Sequence, residues 1–282
     1  EAWRRRVEIN SFKNQYQNEW DCFDSHVKNN ATPVFVLSTG RCGTEFLTNI
    51  LSINENSLVY HSPSPQLLYA DRLAFESQSD DFLMGALVAS RFQLIAEAVM
   101  RDKKFVETNC RSTYLASAIE RFFPKASFIH LIRSPEGYLK SGLELDFYGG
   151  RFNDYSRIRS DNINMWASFD QSEKILWSWN ETNRFIEEFK QKNPAKVLTI
   201  YSEELFEDLN VVRNVLNFCY QDFELGSSKL HKVTSSRVNA KTSQKRNIGN
   251  LNLKNHISKA YMKGILSCTD NYTDLNRYKP DV

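Results

Sequence analysis

The chain has 282 residues, 41% of them hydrophobic and 25% charged, enough apolar side chain for one large domain or two small ones and too much for global disorder. Its 36 Lys and Arg nearly balance 34 Asp and Glu, and the net charge of +2 excludes a histone-like or generally nucleic-acid-coating protein. Unbroken apolar runs are short, such as Phe82–Met84 and Ala86–Ala89. A spanning helix takes about 20 mostly apolar residues, so no membrane segment is expected in this chain.

The five cysteines (Cys22, Cys42, Cys110, Cys219, Cys268) are odd in number and scattered, with no CxxC. With only five histidines there is no zinc pattern, so no metal is expected and a reducing cytoplasm is favoured. Three N-x-S/T triplets, at Asn30, Asn180 and Asn271, are compatible with a lumen; an anchor removed from ahead of Glu1 would allow the Golgi.

In chain order, residues 1–30 carry Phe12, Tyr16, Trp20 and Phe23 at spacings that suit an amphipathic helix leading into the domain. Pro33–Leu37 reads as a short buried strand that runs into the turn Ser38–Thr44, and Glu45–Leu51 continues at helical period. Leu58–Tyr60 and Lys104–Glu107 are brief strands, Phe82–Met100 a long apolar core helix, and Ser112–Phe122 a further helix. Ser127–Arg133 is the second clear buried strand. The next helix starts near Ser134-Pro135-Glu136, since Ser suits the N-cap and Pro the first turn. Asn162–Phe189 reads as one helix and Lys196–Tyr201 as a strand. Alternating strands and helices predict an α/β fold of three layers around a mainly parallel sheet, with residues 31–282 as a single domain. Ligands of such sheets sit at the carboxyl ends of the strands, which places Ser38–Thr44, Arg133 and Tyr201 on one rim.

The strand–turn–helix at Val34–Leu51 carries the chemistry. Gly40 and Gly43 let successive N–H groups face one point, the helix adds its own unbonded N–H groups, and Arg41 supplies a formal charge, so an anion is the expected guest. It makes a poor NTP loop: GxxxxGK followed by Ser or Thr places Lys after the second Gly, whereas Gly43 is followed by Thr44-Glu45.

Arg41-Cys42-Gly43-Thr44-Glu45-Phe46-Leu47 resembles the 5′-phosphosulfate loop of the PAPS-dependent sulfotransferase family (PAPS is 3′-phosphoadenosine 5′-phosphosulfate). It departs from that loop at Cys42, where Ser is usual, and at Glu45, where Thr or Ser is usual. The family's 3′-phosphate motif, a buried strand ending in Arg with a Ser eight residues on, is similar to Ile129–Ser141, with Arg133 and Ser141 at those positions. The resemblance implies a sulfotransferase-like fold with PAPS as the donor. It implies donor contacts from Gly40, Arg41, Cys42, Gly43, Thr44, Glu45, Phe46, Arg133 and Ser141.

Between Leu225 and Thr269 there are nine Lys and Arg and no Asp or Glu, which leaves the rest of the chain at −7. The resemblance implies a basic segment folding over the donor's 3′-phosphate, and Arg237, Lys241, Lys245 and Arg246 are its candidates. For the catalytic base, His61 follows the second strand and has an intrinsic pKa near the working range; Glu45 and Glu107 are its rivals. The expected activity is metal-independent, in-line transfer of a sulfuryl group to a hydroxyl or amine of a small-molecule acceptor. The region 145–165, with Asp146-Phe147-Tyr148-Gly149-Gly150, and the helix at 82–100 are candidate walls of the acceptor site. A P-loop kinase or NTPase and a non-catalytic nucleotide or polyanion binder are the alternatives.

Overall fold

A computed structural model describes residues 17–77, 79–221 and 251–281. Five strands, β1 (Val34–Leu37), β2 (Ser57–Tyr60), β3 (Lys104–Glu107), β4 (Ser127–Ile132) and β5 (Val197–Tyr201), form one sheet in the order β2-β3-β1-β4-β5. Every neighbouring pair is parallel. All carboxyl ends therefore share one rim, as the strand–helix alternation predicts.

The centre of the sheet is apolar on both faces because helices cover both. On one face Phe35, Leu37, Phe105 and Phe128 pack beneath α5 (Gln93–Met100), α6 (Ala116–Phe122), α7 (Pro135–Glu144) and α9 (Gln171–Lys192). On the other, Val34, Val36, Val106, Ile129 and Leu131 pack beneath α2 (Thr44–Leu51) and α11 (Leu209–Tyr220). Adjacent strand residues point to opposite faces, which is why each strand feeds both cores. Residues 17–30 are helical (α1), and Trp20 and Phe23 lay their rings 5.7 and 6.0 Å from Phe92.

Two expectations need correction, and a third is refined. The helix expected at Asn162–Phe189 is two, α8 (Ile163–Ser168) and α9, because Asp170 leaves helical geometry and exchanges capping hydrogen bonds with Glu173. Cys110–Leu115 is a 3₁₀ turn held by Asn109 Oδ1 accepting from Arg111 N, so only Ala116–Phe122 of the expected helix is α. Asp80–Met100 is 21 residues of continuous helix (α4, Asp80–Leu87, a π turn at Val88–Phe92, and α5). By length and composition it could cross a membrane, which the short unbroken runs had hidden. In this fold it lies against the sheet, and its Arg91 is fully buried in a two-pronged ion pair with Glu107 of β3, at 2.5 and 2.8 Å. Of the glycosylation triplets, Asn180 is buried in α9 and accepts from Cys268 N, so it cannot be an acceptor site in the folded chain.

Candidate active site

The turn after β1 is built by left-handed backbone. Gly40 (φ 74°), Arg41 (φ 57°) and Gly43 (φ 92°) all adopt it. Space also restricts the glycines: a Cβ on Gly40 would lie 2.9 Å from Cys110 Sγ, and one on Gly43 2.6 Å from the Phe206 ring. Ser38 Oγ accepts from Gly40 N, and Thr113 Oγ1 both receives Ser38 N and donates to Ser38 O, pinning the turn to the chain after β3. Successive left-handed residues make a concave row of N–H groups, and the first turn of α2 adds its own.

Arg133 leaves the tip of β4 toward this turn. Its Nη1 donates to Arg41 O at 2.7 Å, while its own carbonyl accepts from Trp179 Nε1 at 2.8 Å. Ser134 caps α7 by accepting from Gly137 N, and Pro135 opens the helix, as read from the sequence. A Cβ on Gly137 would lie 2.6 Å from Arg133 Nε, so the glycine is what lets the guanidinium lie against α7. Ser141, two turns on, accepts from Arg41 Nε at 3.1 Å. The two motifs, about 100 residues apart in sequence, thus touch through Arg41. Behind them Ser202 Oγ sits 2.6 Å from Cys42 O and 2.9 Å from Ile132 O, tying the end of β5 to both strand tips.

They open on one cleft of about 670 Å³. Among the described residues, each expected contact lines it: Gly40, Arg41, Cys42, Gly43, Thr44, Glu45, Phe46, His61, Arg133 and Ser141. Arg237, Lys241, Lys245 and Arg246 lie outside the described residues. Lys259 and Lys263, from the same basic window, pair with Glu173 at the start of α9 and do not line the cleft. Cys42 is fully buried, and burial pushes its thiol up to about 12. It is packing beneath the loop rather than a substitute for a serine hydroxyl.

His61 sits at the end of a chain of hydroxyls. Thr48 Oγ1 donates to Thr44 O and lies 2.7 Å from Thr108 Oγ1, which also has Tyr60 O as an acceptor at 3.4 Å. Thr108 Oγ1 is 2.9 Å from His61 Nδ1. The other ring nitrogen, Nε2, faces the cleft side, 3.8 Å from Glu45 Oε1. Burial holds the His61 pKa below its ordinary value, opposed by Glu45 and Glu107. Glu107 itself is not a base: it is fully buried, held by Arg91 and by Ser112 Oγ at 3.0 Å.

Several lining residues escaped sequence reasoning. Arg111, Lys140, Arg151 and Arg157 add positive charge, and Arg157 lies 3.2 Å over the Phe147 ring. Arg111 follows β3 by four positions. Leu145, Phe147, Arg151, Asp154 and Arg157, from the stretch after α7, line the cleft, whereas none of residues 82–100 does. Tyr201 is structural: its hydroxyl donates to Asp274 O and Arg277 stacks 3.9 Å above its ring.

No family model matches the chain, and no curated protein matches it. Solved structures do. A sulfotransferase from Alicyclobacillus acidocaldarius is 16% identical, with TM-score 0.48 over 88% of this chain and 98% of that one. Mouse sulfotransferase SULT7A1, in complex with PAP, is 16% identical, with TM-score 0.45 over 75% of this chain and 67% of that one. The sulfotransferase domain from the curacin biosynthetic pathway is 15% identical, with TM-score 0.46 over 69% and 75%. At the level of the fold, the chain resembles sulfotransferases.

Proposed function

We propose that the chain is a PAPS-dependent sulfotransferase acting on a small-molecule acceptor. The observation that carries this reading is the meeting of Arg41, Arg133, Ser141 and the left-handed Gly40–Gly43 turn on one cleft. A doubly anionic nucleotide suits these residues. The curled turn offers N–H donors, and Arg41, Arg111, Arg133, Lys140, Arg151 and Arg157 outnumber the lining carboxylates Glu45, Glu144 and Asp154.

Bound PAPS supplies the sulfuryl group and, as leaving group, an adenosine bisphosphate. The turn and α2 hold the 5′ end; Arg133 and Ser141 hold the 3′-phosphate. Arg41 stabilises charge that develops as the bridging bond breaks. His61, through Nε2, takes the acceptor proton, and Glu45 stabilises the imidazolium that results. Positioning in the cleft supplies much of the remaining rate.

The test is transfer of labelled sulfate from PAPS across a panel of hydroxyl and amine acceptors, with calorimetric titration of PAP beside it. Labelled product and PAP binding are expected, both lost in Arg133→Ala. Tight Mg²⁺–ATP binding with no affinity for PAP would overturn the proposal in favour of a kinase or NTPase. Bisphosphate binding with no turnover on any acceptor would leave a non-catalytic binder.

A further inference from the structure

A second, smaller cavity of about 70 Å³ adjoins the cleft and shares Thr39, Cys110, Arg111 and Arg157 with it. Its other walls come from Asp71 on α3 (Leu68–Ser77), Tyr114, Tyr138, Tyr148, Ser178 and Thr182. Nothing in the donor reading uses these side chains.

Backbone carbonyls accept from three hydroxyls around this cavity. Thr182 Oγ1 donates to Ser178 O, so Tyr114 OH donates to Thr182 Oγ1 at 2.7 Å. Ser178 Oγ donates to Ile175 O, so the longer contact from Tyr138 OH runs from tyrosine to serine. Tyr148 OH donates to Ile158 O at 2.9 Å. Each phenol has placed its proton elsewhere, and its oxygen lone pairs remain as acceptors. Asp71 is buried; its Oδ2 has only a loose contact with Arg111 Nη1 at 3.4 Å, and its Oδ1 meets no donor among the described residues. Burial pushes this carboxyl up to about 7 despite the nearby Arg111 and Arg157, the mark of an acid kept at a stability cost. On the donor side stand the Arg111 and Arg157 guanidinium groups.

The cavity therefore offers acceptors and donors together. An ammonium would meet the two guanidiniums, and a carboxylate or sulfate would meet Asp71 and the phenol lone pairs. A hydroxyl both donates and accepts, so it satisfies both sides. The volume suits a hydroxymethyl arm or a vicinal pair and is too small for an aromatic ring. We infer that the acceptor is a polyhydroxylated compound of carbohydrate type, which seats a hydroxyl-bearing arm between Asp71, Tyr114 and Arg111. This rests on reading the main cleft as the sulfotransferase site, which puts the acceptor beside the Thr39–Gly40 turn.

Saturation-transfer NMR at pH 8 tests it, with methyl α-D-glucopyranoside, n-butylamine and acetate as probes, with and without PAP. The wild-type chain is expected to saturate the glycoside and neither ion. Losing the carboxylate in Asp71→Asn should weaken that binding about tenfold, and Tyr114→Phe should weaken it several-fold. PAP affinity, read by calorimetry, should stay unchanged in both variants, which also reports that they fold. Preference for butylamine or acetate, no glycoside saturation, or glycoside binding indifferent to both variants would overturn the inference. Failure of the wild-type chain to bind PAP would strike the donor reading instead, while the glycoside titration without PAP still reads the Asp71 cavity.

Discussion

Arg133 allows the donor assignment to be tested by difference rather than by loss. Its Nη1 holds Arg41 O at 2.7 Å, so Arg133→Ala removes a support of the 5′ loop as well as the proposed 3′-phosphate partner. The two effects differ in the ligand that feels them. A hydrogen bond from a guanidinium, to a carbonyl or to a phosphate, contributes about 1.5–3 kcal/mol. Loop support is felt by any 5′-phosphorylated adenosine; the phosphate contact is felt only by a ligand with a 3′-phosphate. Titrating wild type and variant with PAP and with 5′-AMP separates them. Both ligands should lose the same factor, up to roughly 150-fold, through the loop, and PAP alone should lose a further 10- to 150-fold. Arg133→Lys keeps the charge but not the fork, so it should restore part of the PAP-specific loss. Equal losses for PAP and 5′-AMP would refute the assignment of Arg133 to the 3′-phosphate.

Four other outcomes follow from the geometry. His61→Ala should lower kcat by about 10²–10⁴ with little change in PAP affinity, and an unchanged kcat would remove His61 as the base. Because burial holds the His61 pKa below its ordinary value and the base must be neutral, the wild-type rate should fall only on acidification below about pH 6.5; Glu45→Gln, which removes a charge that raises this pKa, should move the falling limb to lower pH still. Asp71 titrates near 3.8 when unfolded and at about 7 when folded, so between those values the folded chain holds a proton that the unfolded chain has released, and stability falls as pH rises through the window. The gap bounds the loss at roughly 4 kcal/mol, so urea unfolding at pH 8 should show Asp71→Asn more stable than wild type, with the advantage gone near pH 4. Gly43→Ala must place a Cβ at φ 92° and 2.6 Å from the Phe206 ring, and should cost about 1–3 kcal/mol in the same unfolding assay.

The parts of this molecule legible in the sequence are those whose information is local. Val34–Leu37 and Ser127–Ile132 are apolar on both faces because helices cover both, and a run of that kind announces a central parallel strand without outside help. Ser134-Pro135 announces a helix start for equally local reasons, and Arg133 and Ser141 are positioned by the strand end and two turns of that helix. The break at Phe169-Asp170 was present in the sequence as Asp170-x-x-Glu173, a capping box overlooked within a longer helical pattern. What the sequence hid is long-range. Arg41 reaching Ser141, Thr108 meeting His61, and Asp71 sharing a cavity with three tyrosines each join residues tens of positions apart. No periodicity encodes such pairs, since they arise only when the parallel strands bring their carboxyl ends to one rim.

Glu45 shows how that convergence changes the meaning of a residue. As a sequence feature it sets a negative charge in an anion loop, where a hydroxyl would bind better. In the fold it lies 3.8 Å from His61 Nε2, on the side of the ring opposite the Thr108 contact. The imidazole is thus held between the Thr108 hydroxyl and a carboxylate that favours its charged form, while burial favours the neutral one. A base needs both influences: neutral before the reaction, and stabilised when the proton arrives. On this view the carboxylate weakens donor binding somewhat and strengthens proton acceptance, so Glu45 and His61 act as one unit. Their single substitutions should then be far from additive in kcat, because whichever is removed first leaves the other little to do.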